Sequence, residues 1–140
     1  EEVQESLAQH LTRDYHPYAY LHDEMVFALA AADLVVSRAG AATLGEYPLL
    51  GLPAVLVPYP HAWRYQKVNA EYLVSRGAAV QIRDEDLAHE LLPTVVELIG
   101  DPDRLSDMAA AAQRLAISDA AETIASEIFE LAERKGVERG

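Results

Sequence analysis

The chain has 140 residues, 51% of them hydrophobic and 24% charged, with a net charge of −12 and no cysteine. That size and balance suit one globular domain over residues 1–140, and the missing thiols exclude disulfide frameworks, thiolate metal sites and cysteine nucleophiles. Residues 1–83 hold nine acids and six Lys/Arg, whereas residues 84–140 hold fourteen and five, so nucleic acid would be repelled by the second half and is not an expected partner.

Hydrophobic periodicity alternates between strand and helix. Residues 2–12 read as the end of a helix, and "YHPYAYL" (15–21) as a short aromatic strand. "DEMVFALAAA" (23–32) has helical spacing, with Met25, Leu29 and Ala32 on one face and acids in the first turn. "DLVVSRA" (33–39) is a strand, "GAATLGEYPLLG" (40–51) a short helix closed by Gly51, and "PAVLVPY" (53–59) a strand bounded by prolines. "RYQKVNAEYLVSRG" (64–77) is a helix stopped by Gly77, and "AAVQIR" (78–83) a strand.

From Asp84 the pattern is helical. Asp101 is expected as an N-cap with Pro102 at the first helical position, and residues 119–136 as the closing helix. Pro48 and Pro93 fall inside helical patterns and are expected to kink or split them. No apolar run approaches the ~20 residues of a membrane span, and no signal peptide precedes the first element.

Strands that are apolar on both faces, alternating with helices, imply an open α/β sheet, mostly parallel. Ligands of such sheets lie at the carboxyl ends of strands, near helix N-termini. Arg38, Gly40, Thr43 and Glu46 follow one strand end, and His61, Arg64, Gln66 and Asn69 follow the next. Gly40 lets a ligand approach the backbone, and the N–H groups of the following helix offer an anion site. Glu46 is placed to accept both hydroxyls of a ribose. Gln66 and Asn69 share a helical face and suit sugar hydroxyls, while Arg38, Arg64 and Lys67 can offset diphosphate charge.

Plainer readings exist for the same residues. Thr43-Leu44-Gly45-Glu46 also spells a capping box that needs no ligand. Gln66, Asn69 and His61 fit solvent-facing positions, and "DPD" at 101–103 fits helix capping rather than a metal-binding D-x-D. The histidines show no metal-ligand spacing, and no Ser-His-Asp set is present.

Residues 32–70, "ADLVVSRAGAATLGEYPLLGLPAVLVPYPHAWRYQKVNA", carry R-[AS]-G-A-x-T-x-x-E, G-L-P-A, V-P-[FY]-x-H and Q-x-x-N-A in one order. In this the chain resembles the donor-binding half of glycosyltransferase family 28. The looser likeness runs from about Tyr20 through the terminal "SDAAETIASEI".

The resemblance implies a Rossmann-like, mostly parallel sheet flanked by helices, part of the C-terminal half of a GT-B enzyme. It implies an inverting transfer of N-acetylglucosamine from UDP to a lipid-linked muramyl-pentapeptide in peptidoglycan synthesis. No metal or other cofactor is implied, the UDP-sugar being a substrate. Glu46 would bind the ribose diol, and Thr43 with the Gly40, Ala41 and Ala42 backbone would lie against the diphosphate. Gln66 would meet the sugar hydroxyls, the His22 backbone the uracil edge, and Met25 would lie beneath that pocket.

Tyr65 stands where the family usually has a first glutamine, Pro48 replaces a helix-compatible residue, and no G-G-S-x-G loop is present. Tyr65 leaves the donor sugar open, and Pro48 implies a different local backbone. With Glu1 in place of an initiator methionine, the missing loop implies a fragment whose missing strands would leave a gap between "YAYL" and "LVVSR". No catalytic residue is expected in it. An absent N-terminal half would supply the acceptor site and the base, at the cytoplasmic face of a membrane, and the fragment alone would bind without turnover. The alternatives are a non-catalytic association module, a subunit of a split transferase, and a family 28 transferase with another lipid acceptor.

Overall fold

The computed structural model describes residues 15–61 and 63–137. The helix expected at 2–12 lies outside them. Helix α1 spans Met25–Ala30, β1 Val35–Ser37, α2 Thr43–Leu50, β2 Ala54–Leu56, α3 Trp63–Val74 and β3 Ala79–Gln81. A 3₁₀ turn at Asp84–Asp86 leads into α4 (Leu87–Ile99), α5 (Pro102–Gln113) and α6 (Ala120–Val137).

The three strands form one parallel sheet in the order β1-β2-β3. Val35, Val36 and Ser37 lie beside Ala54, Val55 and Leu56, which lie beside Ala79, Val80 and Gln81. Side chains alternate across a strand, and the central strand uses both faces. Ala54 and Leu56 pack with Tyr47, Ala70, Leu73 and Ala111, whereas Val55 and Val57 pack with Ile82, Leu98 and Met108. That double burial is why residues 53–57 are an unbroken apolar run rather than an alternating one.

The helix boundaries follow local chemistry. Gly51, at φ 60°, and Gly77, at φ 78°, take left-handed conformations that end α2 and α3. The N–H groups of Leu52 and Ala78 then reach back to the carbonyls of Tyr47 and Leu73, at 2.9 and 3.0 Å. Asp101 caps α5 as expected, its Oδ1 accepting from the Arg104 N–H at 3.0 Å, with Pro102 in the first turn.

Three expectations need correction. Residues 15–21 form no strand: Pro17 lacks a donor, no described strand pairs there, and Tyr18 and Tyr20 are exposed. Among the described residues the expected gap is therefore absent, because the three strands are contiguous and β1 is an outer strand there. Neither proline splits its helix. The Pro48 ring is fully buried in the core, and Pro93 lies on an exposed face where the carbonyl it leaves unpaired can meet water.

Candidate functional site

The carboxyl ends of all three strands meet in a polar cluster. After β1, Thr43 is the first residue of α2 and is buried, and its hydroxyl donates to the Gly40 carbonyl at 2.7 Å. The N-cap is Ala42, with no side-chain cap bond. The capping box is thus not formed: the helix begins one residue too early for Thr43 to cap it. Glu46 is exposed on α2, its carboxylate free of any described partner.

The turn ahead of α2 is tighter than an α-helix. The N–H groups of Thr43, Leu44 and Gly45 reach the carbonyls of Gly40, Ala41 and Ala42 at 3.1–3.2 Å. They are therefore spent internally. The N–H groups of Gly40, Ala41 and Ala42 have no acceptor among the described residues. Gly40 does not have positive φ, and nothing lies within 4 Å of where its Cβ would be. The fold does not need glycine there, and successive unpaired N–H donors are what an anion nest requires.

Asn69 on α3 donates from its amide to the Ala39 carbonyl at 3.0 Å. It fastens α3 to this turn, a structural engagement absent from the sugar-reading role. Gln66 accepts from the Tyr59 N–H at 2.9 Å through Oε1, which leaves its NH₂ to donate elsewhere. Arg64 lies on α3; its side chain is outside the described set.

Arg38 reaches across the strand ends. Its guanidinium donates to the Val57 carbonyl at 3.3 Å, pairs with Asp84, and lies 5.4 Å from the centre of the Tyr59 ring. His61, exposed, meets the same ring edge-on at 5.5 Å. His22 and Met25 sit at the start of α1, where the Met25 N–H donates to the His22 carbonyl at 3.1 Å. Both are exposed, and α1 packs on α2.

The structure thus joins Gly40, Thr43 and Asn69 in one bonded turn, and Arg38, His61 and Gln66 around Tyr59. Sequence reading missed Tyr59 and Asp84 as organisers. Tyr59 stood inside the V-P-[FY]-x-H pattern without an assigned role. Asp84 carried no signal, because its partner is 46 residues away. A further link also went unseen: the Tyr47 hydroxyl donates to Ser37 Oγ at 2.9 Å, tying α2 to β1. Among the described residues no group of three or more His, Asp or Glu is arranged to hold a metal.

Residues 1–124 match the glycosyltransferase family 28 C-terminal domain. The chain is 41% identical to a UDP-N-acetylglucosamine--N-acetylmuramyl-(pentapeptide) pyrophosphoryl-undecaprenol N-acetylglucosamine transferase of Roseiflexus sp. (strain RS-1), over 85% of this chain and 31% of that protein. It is 48% identical to the enzyme of the same name from Desulforamulus reducens, over 71% and 26% respectively. The crystal structure of Acinetobacter baumannii MurG superimposes with a TM-score of 0.71 at 31% identity, covering 79% of this chain and 32% of that one. The chain spans about a third of the length of the relatives it matches. It belongs to the glycosyltransferase family 28 C-terminal domain family.

Proposed function

We propose that this chain is the donor-binding portion of an inverting N-acetylglucosaminyltransferase that acts on a lipid-linked muramyl-pentapeptide. The observation that carries the reading is the open Gly40–Ala42 turn, with three unpaired N–H groups and the exposed Glu46 carboxylate one helical turn beyond. An anion nest beside a free carboxylate matches a diphosphate joined to a ribose diol. The names of its relatives supply the sugar and the acceptor.

In this reading the acceptor hydroxyl attacks C1 of the donor sugar as the bond from C1 to the diphosphate oxygen breaks. The acceptor proton passes to a base on the N-terminal half, and UDP departs carrying the bonding electrons. This chain contributes stabilisation of the leaving diphosphate through the Gly40–Ala42 N–H groups and the nearby Arg38 guanidinium. Glu46 holds the ribose, the Gln66 NH₂ holds a sugar hydroxyl, and His22 with Met25 borders the base. Neither metal nor other cofactor enters this scheme.

The partner half has a ready surface. Ile124, Ile128 and Leu131 of α6 are each more than half exposed and recur at helical spacing. No described helix is long and apolar enough to cross a membrane; the lipid-linked acceptor is reached from the cytoplasmic face through the other half.

The test is a two-dimensional amide NMR spectrum of the chain with and without UDP-N-acetylglucosamine. Saturable shifts at His22–Met25, Gly40–Glu46 and Gln66 are expected. A well-dispersed spectrum that UDP-N-acetylglucosamine leaves unmoved would overturn the reading and favour an association module.

A further inference from the structure

The end of the sheet away from the candidate site carries a second polar feature. A cavity of about 520 Å³ opens at the amino end of β3, beside α5, and its size suits a small ligand. Its lining includes Arg76 and Gly77, in the turn between α3 and β3, and Arg104, Asp107, Ala111 and Arg114. No residue assigned to the donor site lines it.

Local structure explains the convergence. Arg104, Asp107, Ala111 and Arg114 recur every three or four residues, so they share one face of α5 and its C-cap. The left-handed turn at Gly77 lies against that face: a Cβ at Gly77 would be 3.8 Å from the Ala111 Cβ.

The charges are unusual for this chain. Its net charge is −12 with 11 Lys/Arg, yet three guanidinium groups line this cavity with a single carboxylate. Neither Arg114 nor Asp107 has an ion-pair partner among the described residues. Arg76 donates to the Tyr72 carbonyl and the Ser75 hydroxyl at 3.1 and 3.3 Å and lies over the Tyr72 ring, but meets no acid. Arg104 is paired with the exposed Glu97. The nearby helix-end carbonyls are also engaged, Val74 with the Gly77 N–H, Leu73 with that of Ala78, and Ala110 with that of Arg114.

A guanidinium fork presents paired donors to carboxylate or phosphate oxygens and stays charged at any physiological pH. A carboxylate would bring one charge into a field that is negative overall and beside Asp107. A phosphoryl group brings about two charges, with three acceptor oxygens that separate arginines can share. We propose that this cavity binds a small phosphorylated anion, at a site separate from the donor crevice. The proposal does not depend on the transferase reading.

The experiment titrates the whole chain with inorganic pyrophosphate, and separately with succinate, at constant ionic strength, followed by amide NMR. Saturable pyrophosphate shifts at Arg76, Gly77, Ala111 and Arg114 are expected, whatever happens at Gly40–Ala42. Arg114→Gln should weaken that binding by roughly three- to tenfold, the worth of one charge-assisted fork, and Arg114→Lys should restore part of it. Asp107→Asn should tighten it by about two- to threefold, a gain that misfolding cannot produce. Both positions are exposed, so the spectra should stay dispersed. Shifts confined to Gly40–Glu46, no shift at all, binding unchanged by Arg114→Gln, or succinate binding as tight as pyrophosphate would each overturn the proposal.

Discussion

Arg38, at the end of β1, and Asp84, at the start of the turn after β3, form an ion pair across 46 residues of sequence. The pair spans the carboxyl ends of the whole sheet, since Arg38 also donates to the Val57 carbonyl beyond β2. It places an acid next to the cation expected to face a diphosphate. Both side chains are partly exposed, so the pair itself contributes only about 0–1 kcal/mol to stability.

Asp84→Asn should therefore tighten UDP binding, by about two- to fivefold at low salt, because it frees Arg38 from a competing anion. The gain should shrink as salt is raised. Calorimetric titration at two ionic strengths checks this, and a weakening at both would show that Asp84 serves to aim Arg38 rather than to restrain it.

Gly40→Ala should separate fold from function. With ordinary φ and empty space around the missing Cβ, the substitution should leave stability unchanged or raise it by about 0.5 kcal/mol. If the diphosphate lies against this turn, the added methyl group crowds its approach, and UDP affinity should fall at least several-fold. Thermal melts and a titration on one sample decide it.

Glu46→Ala removes a carboxylate that caps nothing. Stability should stay within about 0.5 kcal/mol of the parent, as for most exposed substitutions. UDP binding should weaken by about tenfold or more, the worth of charge-assisted hydrogen bonds to the ribose. Binding of a ribose-free pyrophosphate should be no weaker than in the parent.

Asn69→Ala should act through structure. Losing the 3.0 Å bond to the Ala39 carbonyl should cost about 1 kcal/mol. It should also move the Ala39–Gly40 amide resonances with no ligand present. Unchanged stability together with lost sugar contacts would instead return Asn69 to the sugar-binding role.

Gly51→Ala should be the costlier of the two left-handed glycine substitutions. Both positions carry the roughly 1–2 kcal/mol penalty of positive φ. At Gly51 the added Cβ would also lie 2.6 Å from Gln113 Nε2, whereas at Gly77 its nearest neighbour is 3.8 Å away. Because the Gln113 side chain can move, the difference in chemical denaturation should be modest.

The local features were legible because their causes are local. Asp101 with Pro102 announces a helix start through one side-chain bond and one fixed φ, and Gly51 and Gly77 end helices through their own backbone freedom. A continuous apolar run marked β2 because both faces of that central strand are covered. The same reasoning misjudged "YHPYAYL": aromatic content favours a strand only where a neighbouring strand completes the ladder.

By itself, then, the sequence determined the alternation of strands and helices, the caps, and the segments proposed to carry the chemistry, since each depends on neighbours within a few residues. Only the tertiary structure decided what those segments do to one another. It set the start of α2 at Thr43, which dissolved the capping box and left Glu46 free; it engaged Asn69 with Ala39 and Arg38 with Asp84; and it gathered Arg76, Arg104 and Arg114 around one cavity. These outcomes depend on which strand ends are brought side by side, and that is fixed by packing the two faces of β2 rather than by any spacing along the chain.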